Sequence, residues 1–271
     1  LAVVGTALQA LVRNPLADPY VFGITSGASV GATAVLIFGV TIVGQQSVSA
    51  AAFLGAVVAF ALVLVLARLG GGLSPARLIL AGVAVAYTMS ALTSFLVFMA
   101  RTTSDQGIAQ AVLFWLLGSL GGARWDQLGI PAVAVVCGTA LLVLQARSLN
   151  ALLVGDETAA TLGVDPRRFR GQLFVLCALL TGVIVAVAGG IGFVGLMVPH
   201  TVRMLVGADH RRVLPVAMLL GATFLIWADV LARTVASPLE LPIGIVTALF
   251  GTPFFVLIMR QRGKALRAGS R

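Results

Sequence analysis

Ile191-Gly192-Phe193-Val194-Gly195-Leu196-Met197-Val198-Pro199-His200 is the stretch on which the reading of the fold turns. It sets two glycines, a proline and a histidine into an otherwise apolar run. A helix interrupted in this way is a poor lipid anchor. Helix breakers are tolerated at membrane depth where protein or a water-filled path surrounds them. The segment therefore points to a pathway through a bilayer, with Gly192, Gly195 and Pro199 as candidate lining residues.

The rest of the chain agrees. Apolar residues make up 59% of the sequence and charged residues 10%, against roughly 25% charged in a soluble domain. Mean hydropathy is +1.08. No soluble domain of this length hides so much apolar surface, so the expected fold is an all-α polytopic membrane protein. A crossing needs about 20 apolar residues. Candidate spans are 25–43, 48–67, 78–100, 128–146, 171–190, 213–236 and 243–260. Residues 192–206 form a shorter, broken crossing, and residues 1–12 resemble the end of another helix. That makes about nine transmembrane helices. Residues 107–120 are apolar but short, and read as a re-entrant or interfacial helix. The whole of 1–271 is expected to be one transmembrane unit.

Charge sets the expected orientation, because Lys and Arg concentrate on the cytoplasmic side. All of the 18 basic residues except Arg101, Arg124 and Arg233 fall on one alternating set of loops or in the tail that holds Arg260, Arg262, Lys264, Arg267 and Arg271. The 148–170 loop and the C-terminus are thus expected in the cytoplasm of a multi-pass protein of the inner membrane. The net charge of +9 sits at membrane edges, where it meets anionic lipid. No basic patch interleaves with aromatics, so nucleic acid is not an expected partner.

Within the 148–170 loop, Asn150–Pro166 has helical character. Asp156 is placed to cap a helix after Gly155, and Gly163 to end it. Leu152, Leu153, Ala159, Ala160 and Leu162 leave an apolar face outside the bilayer. Either a partner protein covers it or the helix lies on the membrane surface. Upstream, Asn14-Pro15-Leu16-Ala17-Asp18-Pro19 stops two helices with two prolines. Gly23, Gly27 and Gly31 then recur every four residues, a face suited to close helix packing.

Chemistry-bearing residues are few. Cys137 and Cys177 lie in apolar runs without metal-ligand spacing, and core packing is expected for both. His200 and His210 have no second ligand at helix-face spacing, so hydrogen bonding is expected rather than metal binding. Asp229 and Arg233 are four apart on one helix face and suit an intrahelical pair, although an ionisable pair in a span is also a functional candidate. No nucleophile–base set and no phosphate-binding loop occur. Any ATP, with its Mg, would be bound and hydrolysed by another chain.

Taken together, NPLADPYVFGITSGASVGA, GDETAATLGVD, GGIGFVGLMVPHTVRMLVGADHR, ADVLAR and ELPIGIVTALFGTPFF, in this order, resemble the permease subunits of ABC importers for iron–siderophores, haem and vitamin B12. The resemblance covers nearly the whole chain. It implies a fold of ten membrane helices, and assembly with a second permease copy or paralogue. It also implies ABC ATPase subunits below and a periplasmic or lipid-anchored substrate-binding protein above. It places coupling helices at Leu152–Val164, with Gly155, Asp156, Glu157, Ala159, Leu162 and Gly163 facing the ATPase. Arg233 becomes a contact for an acidic residue of the binding protein, and Ser74-Pro75-Ala76 the cytoplasmic mouth of the path. The family pattern carries a further helix before the GTALQ region, where this sequence begins at Leu1. An iron–siderophore is the expected cargo. The competing reading is an ion-coupled secondary transporter, which also uses broken helices. It calls for intramembrane carboxylates, and of the nine acids Asp229 is the main one inside a span. An intramembrane enzyme lacks a catalytic set.

Overall fold

The computed structural model describes residues 1–40, 46–69, 73–100 and 106–268, with the side chains of Gln106 and of residues beyond Val256 outside the description. The described residues form helices and no strand: α1 (Ala2–Val12), α2 (Ile24–Phe38), α3 (Ser47–Leu69), α4 (Pro75–Ala100), α5 (Gln106–Leu117), α6 (Gly129–Leu144), α7 (Ala146–Val154), α8 (Asp156–Thr161), α9 (Pro166–Ala188), α10 (Val194–Val206), α11 (His210–Thr234) and α12 (Ile243–Ala268). In hydrocarbon every backbone N–H and C=O must be paired internally, and helices achieve this within one segment.

Helices α3, α4, α9 and α11 are each long and apolar enough to cross a membrane. Helices α6 and α7 form a further span if taken together, bent by 56° at their junction. The shorter apolar helices are α1, α2, α5, α10 and the first part of α12. The expected all-α polytopic architecture is thus present, broken and short helices included. The span expected at 25–43 is shorter than read. Helix α2 stops at Phe38, where Gly39 turns into the left-handed region at φ 63° and its N–H closes on the Val35 carbonyl. Residues 41–43 lie outside the described residues, as does Arg101. The side chains of Arg260, Arg262, Lys264 and Arg267 are likewise outside the description, as is Arg271.

Helix α1 is the central post. All 11 of its residues are buried, and it packs against α7, α9, α10 and α11. Around it runs the main apolar core, which includes Phe22, Phe60 and Phe174, with ring centroids of Phe22 and Phe60 each 5.2 Å from that of Phe174. Cys177 is buried there, whereas Cys137 lies exposed on α6. The expectation of core packing therefore fails for Cys137, because α6 turns that face away from α9.

The glycine face of α2 does what its spacing implies. Its helix packs closely on α3, backbone against backbone. A Cβ on Gly31 would sit 2.6 Å from the carbonyl carbon of Ala51, and one on Gly55 of α3 would sit 3.0 Å from that of Gly27. Rigid backbone cannot yield at such distances. Gly27→Leu is therefore expected to force the two helices apart. The cost should exceed the roughly 1–3 kcal/mol typical of core overpacking, read as a lower melting temperature of the purified protein. An unchanged melting temperature would mean that the contact is dispensable.

Candidate functional site: a clamped loop and the broken crossing above it

The site has two storeys joined by α1. The lower one is the 148–170 loop. Its two short helices, α7 and α8, meet at Gly155, whose φ of 141° is open to glycine but strained for any other residue. Helix α8 ends as the sequence implied. Gly163 takes φ 81°, its N–H bonds to the Ala160 carbonyl at 3.0 Å, and the Val164 N–H bonds to the Ala159 carbonyl at 3.0 Å. This is the paired 5→2 and 6→1 closure of a Schellman turn.

Asp156 does not cap α8. Gly155 occupies the N-cap and no side-chain cap bond forms there. The Asp156 carboxylate instead turns toward the body of the permease. Arg170 of α9, only 3% exposed, donates Nη1 to Oδ2 at 2.7 Å and Nη2 to Oδ1 at 2.6 Å. Arg13, just past the end of α1, donates to the same Oδ1. Arg170 also donates Nε to the Leu11 carbonyl, 3.4 Å away, on the last turn of α1. The Arg170 guanidinium, followed by both charges and Arg13, holds the Asp156 carboxyl below the usual carboxylate range. A second tie runs from α7. Asn150 donates to Asp209 at 2.7 Å and accepts from the His210 backbone N–H at 3.0 Å and from the His210 ring at 2.6 Å. The Arg211 N–H, and then Asn150, hold the Asp209 carboxyl below the usual carboxylate range. His210 is thus a structural hydrogen-bonding residue, as its isolation in sequence suggested.

The clamp decides which face points out. Leu152 and Ala159 are fully buried against the main core, so they do not belong to the free apolar face expected of them. That face consists of Leu153, Val154 and Leu162, which are 41%, 71% and 67% exposed. Glu157 and Ala160 are exposed beside them.

The upper storey is α10. Phe193 stands at its N-cap with φ 68°, a costly conformation for a bulky residue, and its ring lies against Gly251 of α12. Pro199 sits inside the helix and brings no N–H, so the Gly195 carbonyl four residues earlier loses its helical donor. Gln9 of α1 supplies the replacement. Its Nε2 donates to the Gly195 carbonyl at 3.0 Å, while its Oε1 accepts from Arg203 at 2.5 Å. The approach needs glycine on both sides. A Cβ on Gly5 would lie 2.6 Å from the Gly195 Cα, and one on Gly195 would lie 2.9 Å from an Asp18 carboxylate oxygen. Gly192, a candidate lining residue of the path, has no atom within 4 Å of where its Cβ would be. It lies in the non-helical link between α9 and α10, not at a helix contact. His200 stacks edge-on against Phe254, centroids 5.9 Å apart.

The remaining candidates lie apart. Ser74, Pro75 and Ala76 begin α4 on the loop side of the bundle, where the Ser74 hydroxyl accepts from the Arg77 N–H at 3.4 Å. Arg233 lies at the opposite end, paired with Asp229 at 2.9 Å and 3.8 Å from Glu240. Sequence reading did not find Gln9, Gly5, Arg13, Arg170 or the buried Asp18, which accepts from the Tyr20 N–H at 2.9 Å. A glutamine inside a fully apolar run was the one available signal. Among the described residues, no group of three or more His, Cys, Asp or Glu side chains could hold a metal ion.

A bundle of full and broken membrane helices, with a clamped helical loop at one face, defines a polytopic permease. The chain belongs to the FecCD transport family, whose profile matches residues 1–261. It is 45% identical over 263 residues to the cobalamin import system permease protein of Halobacterium salinarum, covering 97% of this chain and 69% of that one. It is 45% identical over 266 residues to the hemin transport system permease protein of Yersinia pestis, covering 97% and 78%. A metal-chelate type ABC transporter solved in an inward-facing conformation superposes with a TM-score of 0.87 at 34% identity, covering 96% and 81%. The resemblance read in the sequence therefore holds, and the chain is a transport permease rather than an enzyme.

Two outcomes follow from the two storeys. Gln9→Leu leaves the Gly195 carbonyl buried and unpaired, at a cost of roughly 1–3 kcal/mol. In a Pro199→Ala background the helical N–H returns, so the same change should cost about 1 kcal/mol less. Equal losses of chemical stability in both backgrounds would reject the replacement role. For Asp156, the folded carboxyl titrates below its ordinary value of 3.8. Its stabilisation is therefore fully present above that value and is lost as pH falls through the lower, folded one. Asp156→Asn should lower the melting temperature at pH 7 and shrink the fall in stability on acidification. An unaltered acid profile would show that the clamp carries no linkage.

Proposed function

We propose that this chain is the membrane permease subunit of an ABC importer that carries an iron–siderophore, or a related haem- or cobalamin-type chelate, across the cytoplasmic membrane. ATP and Mg are bound and hydrolysed by partner ATPase subunits, and the chain itself holds no cofactor. The observation that carries this reading is the loop 148–170. Its side chains Leu153, Val154 and Leu162 point away from the protein on a helical pair that Arg170 and Arg13 fix through Asp156. A free apolar face on a rigid support suits a protein partner. A helix that only rests on lipid needs no such clamp. The relatives named for cobalamin and hemin support a chelate as the cargo.

In this reading residues 1–271 act as one permease domain, with the loop and the C-terminus in the cytoplasm. Gly155, Asp156, Glu157, Leu162 and Gly163 shape the ATPase contact, with Leu152 and Ala159 anchoring it from within. Ser74, Pro75 and Ala76 flank the inner mouth of the path, and Gly195 and Pro199 set its wall. Arg233 faces a periplasmic or lipid-anchored binding protein. A second permease copy, or a paralogue, packs along α4. That helix leaves Thr88, Ser90, Ser94 and Tyr87 exposed among Leu80, Phe95 and Phe98, a mixture suited to a path shared between subunits rather than to lipid alone.

The test is ATP turnover in the reconstituted importer. Leu162→Asp puts a charge on the outward face, and Gly155→Pro demands a φ near −65° where the loop holds 141°. Both variants are expected to insert normally and to lose substrate-stimulated hydrolysis. Stimulated turnover at the parent rate would overturn the coupling role.

A further inference from the structure

On the loop side of the bundle, the last turn of α3 and the first turns of α9 diverge around a groove of about 690 Å³. It is separate from the clamp and from the broken crossing. Arg68, Arg167 and Arg168 ring its mouth, with Gln172 beside them. All four are exposed. One acid lies close by. Asp165 accepts from the backbone N–H groups of Arg167 and Arg168 and pairs with the Arg168 side chain at 3.4 Å. The mouth keeps a net positive charge after that pairing. Behind it the lining changes character. Leu64, Val175, Leu176 and Leu179 continue the groove toward membrane depth. Gly171 leaves room in its floor, since a Cβ there would meet only Leu73, at an ordinary 3.5 Å.

We propose that this groove is a binding site for an anionic phospholipid of the adjacent leaflet. The arginines and Gln172 would hold the phosphate and headgroup, and one acyl chain would lie along the leucine trough. The argument is complementarity at two depths. Arginine forks suit phosphate oxygens, and basic pockets between membrane helices favour anionic headgroups. A soluble anion satisfies the mouth but leaves the trough empty, whereas a zwitterionic lipid fills the trough but meets a cationic mouth. An acidic surface of a soluble protein would reach the arginines without entering the groove. Arg167 and Arg168 begin α9, and Arg170 on the same turn holds Asp156. A lipid seated here would therefore stiffen the helix end on which the loop clamp is built. The site stands independently of the import reading, because lipid binding is measured without partner subunits.

The experiment uses the purified full chain in detergent, titrated with phosphatidylglycerol, phosphatidylcholine or inorganic phosphate. Melting temperature and native mass spectrometry are followed together. Phosphatidylglycerol is expected to stay bound and raise the melting temperature, while phosphatidylcholine does so weakly and phosphate not at all. Substituting Arg68, Arg167 and Arg168 together with glutamine should weaken phosphatidylglycerol binding by roughly 100-fold, about one basic-residue contribution for each arginine removed. Gly171→Phe keeps every charge but fills the floor, and should also lose the retained lipid. Three results would overturn the proposal: equal retention of the two lipids, full binding by either variant, or a phosphate-induced shift equal to that of the lipid. Arg124→Gln, on the opposite face, serves as the control and is expected to bind like the parent.

Discussion

A carbonyl without a donor, held at membrane depth, is the constraint around which this permease is arranged. Pro199 creates it at Gly195, and lipid offers nothing to satisfy it. The donor must come from protein, and it comes from Gln9, 3.0 Å away. That single bond fixes much else. The helix bearing Gln9 must lie alongside α10, so α1 is buried on all sides. Both backbones must nearly touch, so Gly5 and Gly195 have no alternative of larger size. The second end of the amide must be paired as well, and Arg203 meets it from two turns further along α10. Burial of a polar amide is tolerable here because each of its groups is used.

The same helix carries the constraint to the loop. Arg170 reaches the Leu11 carbonyl at the C-terminal end of α1, within one turn of Gln9, and grips Asp156 with its two terminal nitrogens. A nearly buried guanidinium is costly unless its charge is met, and a half-exposed carboxylate meets it. The loop is thus oriented by the needs of the core. Its outward residues are simply those that the clamp leaves over.

Much of this is legible in the amino-acid sequence. Long apolar runs mark α3, α4, α9 and α11 because lipid demands length, and glycine at every fourth residue marks the α2–α3 seam because backbone contact demands small side chains. Gly163 ends its helix for a local reason and was read correctly. What escaped was pairing across sequence. Gln9 and Gly195 are separated by 186 residues, and Arg13 and Asp156 by 143. Local rules therefore gave Asp156 a capping role that is the commoner use of that residue. Leu152 and Ala159 were read as free for a similar reason. A helix has one apolar stripe on paper, but which part of it is covered depends on a neighbour that periodicity does not name.

Cooperative opening should be graded along the chain in consequence of α1's position. Amides of a helix enclosed by four others exchange with solvent only when a large part of the fold opens, whereas α8 has one face in solvent and is held through the Asp156 clamp. The buried post and the clamped loop are joined through Arg170. Any displacement of the loop would then pass to α1 as a tilt of the whole post rather than as bending within it. The carbonyl of Gly195 would follow, still bonded, because Gln9 lies within one turn of Leu11.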